Sequence, residues 1–443
     1  MPTSKFKKNA AESEFLSANY IVKSGDLVPL SPSPWQRVIP TVHLVSQRFG
    51  YKRVEPKPVE ALDRFSKQQH ALSPASEDDL LTLNSNGTKR YALRPQNFLS
   101  VLRTYVDYEA VSKEQVTKWY YLEPIFTAGK NTFEMRYELG WMHFGEASSL
   151  PDAQMIIMIK VLLEELGFAP TVFEINNRGC DNCSVAYKEA FVDYLEQNKF
   201  SLCEQCQSLL GQPSNRESLE VYKIFKCENE QCVSVVVAAP QIIDYLDTTC
   251  NKHLTSLLET LDELEVPYQL NPRMFGHDWL SHSVFGVKLV DEEEKNPEAK
   301  TLGYGGRHNN FVSKLIGRDI PTLSFSLPFE RLFESADQNK PTPKASRMAD
   351  VFLINLGDLA AKKSLKLFLE LWNSGVTVME NFGENGIKNQ FKSAELNACP
   401  IALVIGQKEA LDGSVILRDV RNGTQEVFSY DRIIEEVKKR LQE

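Results

Sequence analysis

No stretch of this chain is apolar for long enough to cross a bilayer. The most apolar segment, Met155 to Leu163, is broken by Lys160, whereas a spanning helix needs about 20 such residues. No apolar run follows the polar, lysine-rich residues 1–10 either, so a secretory leader is not expected. Positive charge is also scarce. Fifty Lys and Arg face 59 Asp and Glu, for a net charge of −9, so the chain as a whole does not attract nucleic acid. A cytoplasmic protein with neither membrane nor DNA as partner is the expectation, and a local basic face for RNA remains compatible with it.

The composition is that of an ordinary soluble protein, 42% hydrophobic and 25% charged, and 443 residues are too many for one core. Two or three domains are expected. Of eight cysteines, six lie between Cys180 and Cys232, while Cys250 and Cys399 stand alone. In a reducing compartment such clustering favours metal over disulfides. Cys180-Asp-Asn-Cys183 and Cys203-Glu-Gln-Cys206 are paired C-x₂-C knuckles, the spacing of a tetrahedral zinc site, with Cys227 and Cys232 as a looser third pair and alternates. Four thiolates leave no open coordination position, so the zinc would be structural.

Along the chain, residues 1–24 read as a flexible leader. Trp35, Val38, Ile39, Val42, Val45 and Phe49 recur at helical spacing, Gly50 is placed to end that helix, and Tyr51 to Val59 follows as a proline-bearing edge strand. LLTL (80–83) and RYAL (90–93) flank Asn86-Gly87, a hairpin signal. Lys118 to Phe126 and Glu138 to Glu146 read as a second strand pair, and Pro151 to Leu166 as a buried helix capped by Gly167. After the Cys-rich insertion, Tyr268 to Phe275 and Ser283 to Val290 read as strands. The spacing thus predicts an α+β fold: an antiparallel core over 25–176 and 261–336, interrupted by an insertion at 177–260. A polar linker at 337–346 leads to a domain at 347–443, where strands and helices alternate around a mainly parallel sheet.

Between Thr301 and Leu332 the pattern becomes specific. Gly303, Gly305 and Gly306 read as a turn, then come a short helix, a strand from Thr322, and Glu330-Arg331 opening another helix. An Arg at a strand-to-helix junction beneath such a turn suits an anion or nucleotide. Gly305-Gly306-Arg307-His308-Asn309 followed by Phe325-Ser326-Leu327-Pro328-Phe329-Glu330-Arg331 resembles the last signature region of histidyl-tRNA synthetases, class II aminoacyl-tRNA synthetases. Phe144-Gly145-Glu146-Ala147-Ser148 resembles that family too, and 347–443 resembles the anticodon-binding domain of the histidyl, glycyl, threonyl and prolyl enzymes.

The resemblance implies a homodimer built on the helix and strand after Pro34, tRNA or a protein as partner, and, where ligation is retained, ATP and magnesium. It places Arg331, Glu330, Gly305, Gly306, Arg94 and Gln96 in the binding set, with Arg331, Arg307, Arg136 and Arg273 as residual catalytic cations. The departures count as much. The family's first phosphate-clamping Arg, and the Glu after it, would fall at Thr127-Ala128-Gly129. The run that carries its second cation reads Met274-Phe275-Gly276-His277-Asp278-Trp279-Leu280, and its Pro-Glu-Gly-Thr is Pro95-Gln96-Asn97-Phe98. Ser324 and Pro328 stand where glycines keep the ATP floor flat. The expectation is a degenerate, non-ligating relative. The alternatives are a divergent active histidine–tRNA ligase and a regulatory subunit of ATP phosphoribosyltransferase, although residues 347–443 weigh against the latter.

Overall fold

The computed structural model describes residues 20–21, 28–29, 34–61, 80–84, 89–109, 116–128, 133–168, 170–211, 219–275, 279–290, 301–329, 332, 349–381 and 386–442. The Asn86-Gly87 turn, the linker at 337–346, and Glu330 with Arg331 lie outside them. So does most of the leader, of which Tyr20–Ile21 (β1) pairs with Val28–Pro29 (β2). The chain divides into two compact units, residues 41–336 in one and 337–443 in the other with 1–40.

The larger unit begins within helix α1, Pro34–Arg48, which Gly50 ends at φ 82°. Only Lys52–Arg53 (β3) and Val59–Ala61 (β4) of the expected edge strand pair, since Pro56 and Pro58 between them have no N–H to give a ladder. Thr82–Asn84 (β5) and Arg90–Leu93 (β6) complete a small sheet in the order β4-β6-β5. Helix α2, Asn97–Glu109, leads to the long hairpin Thr117–Ala128 (β7) and Phe133–Phe144 (β8). Helix α3, Leu150–Glu165, is apolar on nearly every side and is buried accordingly.

Thr171–Asn177 (β9), which the sequence reading passed over, ends where the insertion begins. The insertion holds helices α4 (Asp181–Gln197), α5 (Glu204–Gly211) and α6 (Glu230–Val237) around a core of its own that includes Tyr187, Phe191, Leu195, Val221 and Tyr222. Helix α7, Thr248–Glu263, returns the chain to the main sheet. There follow Tyr268–Leu270 (β10), Ser281–Leu289 (β11), Thr301–Arg307 (β12), helix α8 (Asn309–Ile316) and Thr322–Pro328 (β13). Strand β10 is shorter than expected because Asn271-Pro272 turns the chain.

Among the described residues the main sheet has eight strands, in the order β10-β9-β11-β12-β13-β8-β7-β3. It is antiparallel inside and parallel at its two outermost pairings. The expected glycine turn is a correction: Gly303, Gly305 and Gly306 sit within β12, between β11 and β13. They are glycines because the neighbours leave no room. A Cβ on Gly305 would run into the Ser324 carbonyl and the Phe325 backbone, and Gly306 holds φ 153°.

The carboxy-terminal unit contains Val351–Asn355 (β14), α9 (Asp358–Asn373), Val378–Glu380 (β15), α10 (Ile387–Leu396), Ile401–Ile405 (β16), α11 (Gln407–Asp412), Ser414–Asp419 (β17), Gln425–Ser429 (β18) and α12 (Tyr430–Gln442). Its sheet, β15-β14-β16-β17-β18, is mixed rather than mainly parallel, because the Asn422-Gly423 hairpin adds two antiparallel pairings. Strands β14 and β16 are buried along their whole length, with apolar clusters on both faces.

Replacing Gly305 with Ala should force β12 and β13 apart. The expected loss is about 1–3 kcal/mol of stability, in the range of core overpacking, read as a lower urea midpoint; Gly317→Ala, where no atom lies within 4 Å of the added carbon, separates crowding from conformational strain.

Candidate active site and thiolate clusters

The site suggested by the sequence lies over β8, β12 and β13, and its cations can be followed one at a time. Arg307 ends β12 pointing inward, 1% exposed. Its Nη2 reaches Asp152 Oδ2 at 2.5 Å, its Nε approaches both carboxylate oxygens at 3.0 and 3.2 Å, and Nη1 and Nη2 also donate to the carbonyls of Glu146 and Ser148. Asp152, fully buried on α3, accepts from Ser283 Oγ as well. Arg307 therefore knots β12 to α3 and the loop before it. Arg94 is likewise buried and committed, to the carbonyls of Pro56 and Pro124 and to Glu123 Oε2 at 3.1 Å. Both arrangements share a cause: a buried guanidinium must have its hydrogens answered by the protein.

Arg136 is exposed on β8, opposite Ile125, and pairs with Glu134 at 2.6 Å. Arg273 sits on the turn after β10, its backbone N–H bonded to Asn271 Oδ1. Thr127 and Ala128 run out along the β7–β8 hairpin against Glu134 and Phe133. Gln96 is half-buried at the start of α2. Glu330 and Arg331 are outside the described residues.

Phe98, which ends the segment that departs from Pro-Glu-Gly-Thr, packs among other rings. Its ring, 6% exposed, lies 4.3 Å from His308, 5.2 Å from Trp279 and 6.1 Å from Phe311, centroid to centroid. His308 Nε2 and Ser324 Oγ are 2.7 Å apart. Four rings thus pack the space between α2, the turn before β11 and α8. A cleft of about 380 Å³ does open beside α8, lined in part by Asp181, Asn310, Ser313, Lys314 and Asp319. The one cation lining it, Lys314, is 2.9 Å from Asp181.

The thiolates assemble differently from the expected Cys180/Cys183/Cys203/Cys206 set. Cys203 and Cys206 join Cys227 and Cys232, the alternates, with all four sulfurs within 4.8 Å of one another. Cys180 and Cys183 fall in a separate group with Asp247 and Cys250. The chain folds the first set together through α5 and α6: Cys203 and Cys206 sit at the start of α5, and Cys232 Sγ, in the first turn of α6, accepts from the Cys203 N–H at 3.1 Å. The Cys206 backbone N–H helps lower the Cys203 thiol to about 7, while burial raises Cys206 and Cys232. Four sulfurs gathered in this way suit a thiolate-binding divalent cation, which would ionise the thiols it holds.

Against this geometry, the family profile described as "Anticodon binding domain" matches residues 350–440. The chain is 28% identical to a histidine–tRNA ligase of Halothermothrix orenii over 422 residues, 94% of this chain and 98% of that protein. It is 27% identical to a histidine–tRNA ligase of Trichlorobacter lovleyi, covering 90% and 93%. The chain is thus similar over nearly its whole length to the histidine–tRNA ligase family. The fold agrees with that family: apo histidyl-tRNA synthetase of Staphylococcus aureus superposes with a TM-score of 0.71 at 22% identity, over 94% of this chain and 99% of that one. A Bacillus halodurans structure described as an ATP phosphoribosyltransferase regulatory subunit/histidyl-tRNA synthetase shares the fold at a TM-score of 0.58 and 14% identity, over 86% and 96%.

Two expectations follow for this core. Asp152→Asn should cost about 3–5 kcal/mol in denaturant unfolding, because it strips the buried Arg307 of its counter-charge. His143, buried on β8, is pushed down to about 4 by burial and by the nearby Lys118 and Arg307. Unfolding returns that ring to water, where it ionises near pH 6.5, so the unfolded chain binds more protons between these values. Stability should therefore fall as pH drops from 6.5 towards 4, with His143 supplying up to about 1.4 kcal/mol per pH unit; His143→Gln should flatten the profile across that window.

Proposed function

We propose that this protein is a histidyl-tRNA synthetase-family homodimer that does not ligate histidine, and that it works in the cytoplasm by binding tRNA or a protein partner. The observation that carries the reading is Phe98: an aromatic side chain packed at a tilt against His308, Trp279 and Phe311 occupies the segment in which the family's Pro-Glu-Gly-Thr would hold the amino acid. Electrostatics supports it. Charge builds on the α-phosphate as the adenylate forms, and fixed cations lower that barrier. Thr127 and Ala128 offer none, and Arg94 and Arg307 are spent on structure. One lost charge-assisted bond costs about 1.5–3 kcal/mol and one lost transition-state donor about 10²–10³ in rate, so several losses leave little turnover even if they are only partly additive.

Zinc held by Cys203, Cys206, Cys227 and Cys232 would brace the insertion. A second copy would cover α1, which leaves Ile39 and Leu44 exposed. The full-length similarity to histidine–tRNA ligases favours a divergent active ligase as the second reading. ATP–pyrophosphate exchange with histidine decides between them: no histidine-dependent exchange above background is expected, alongside a shifted band with tRNA in native gels. Robust exchange would establish the second reading.

A further inference from the structure

We infer that the chain carries a second zinc-type site, built from Cys180, Cys183, Cys250 and Asp247, that clips the insertion shut at its neck. It is separate from the four-cysteine group inside the insertion and does not depend on whether the protein ligates. Cys180 and Cys183 lie where the chain leaves the main sheet after β9. Asp247 and Cys250 lie where it returns, at the start of α7. Their four donor atoms are mutually within 4.8 Å. Cys180 and Cys183 sulfurs are 3.5 Å apart, and Cys180 Sγ is 3.2 Å from Asp247 Oδ2. A tetrahedral ion with bonds of about 2.0–2.3 Å needs donors at spacings of this order.

The surroundings fit a cation held by thiolates. Cys180 is the N-cap of α4 and Asp247 the N-cap of α7, so two helix amino-termini converge on the group and favour its negative charge. The two oxygens of Asp247 divide their work: Oδ1 accepts from the Cys250 backbone N–H at 2.7 Å, and Oδ2 faces the sulfurs. The Asp247 N–H points at Cys183 Sγ at 3.1 Å, and a His282 ring nitrogen from β11 lies 3.6 Å from Cys250 Sγ, both typical supports for metal-bound thiolate. Asp181, between the first two cysteines, reaches Asn310 and Lys314 on α8 at 2.8 and 2.9 Å. A metal here would therefore fix the neck to the core and close a long chain segment, where one cross-link constrains most. The exposed oxygen donor makes this the more labile of the two centres, since a carboxylate holds zinc less firmly than a fourth thiolate.

Zinc counted by mass spectrometry of the elements on the full-length protein tests the idea. Two ions per chain are expected, one for each cluster, falling to one in Cys250→Ser and to one in Cys206→Ser. A single ion lost with Cys206→Ser but kept in Cys250→Ser overturns the proposal, as do two ions retained in Cys250→Ser. Should Cys250→Ser fail to fold, Asp247→Cys serves instead. Loaded with cobalt, it should bind the same number of ions with a stronger sulfur-to-metal charge-transfer band, and its labile ion should resist chelator. An unchanged band and unchanged chelator release would equally overturn the site.

Discussion

A guanidinium buried against a carboxylate and two carbonyls sets the character of the main unit. Arg307 joins the end of β12 to α3 and to the loop before it, and Asp152 takes both its charge and a hydroxyl from β11. In a dry interior neither ion is tolerable alone. The pair therefore fixes the helix against the middle of the sheet, and the positions of β11, β12 and β13 follow. The three glycines of β12 lie in the same strand, where the neighbouring strands leave no room for a side chain.

The same constraint bears on chemistry. A positive charge answered by a buried carboxylate and two carbonyls has little left for an incoming phosphate. Around it the polar character gives way to rings, with Phe98 wedged among His308, Trp279 and Phe311. The stability of this fold comes from sheet pairing and burial, neither of which requires reacting groups. The insertion is held on other terms: it has its own apolar core, and its cysteines gather in two places.

Much of the architecture was legible in the chain. Helical spacing located α1 and α3, glycine marked their ends, and alternation outlined the carboxy-terminal unit with its Asn422-Gly423 hairpin. Strand β9 went unread, since Thr171 to Asn177 is buried on both faces and ends in two asparagines. The glycines of β12 looked like a turn because glycine signals freedom and close approach alike, and only the neighbouring strands tell which applies. In the cysteine clusters, local spacing identified both C-x₂-C pairs but could not say which partners each would meet.

By itself, then, the sequence determined most element types and the mixed α+β class with its carboxy-terminal anticodon-binding unit, because each is written in residues close together along the chain. Tertiary structure alone decided that Arg94 and Arg307 are buried against Glu123 and Asp152, that Phe98 packs against three other rings, and that Cys250 lies beside Cys180, Cys183 and Asp247. Those outcomes rest on contacts between residues far apart in sequence, such as Arg307 with Asp152 and Cys180 with Asp247. No local pattern encodes such a meeting; it exists only once the sheet has brought its strands into register.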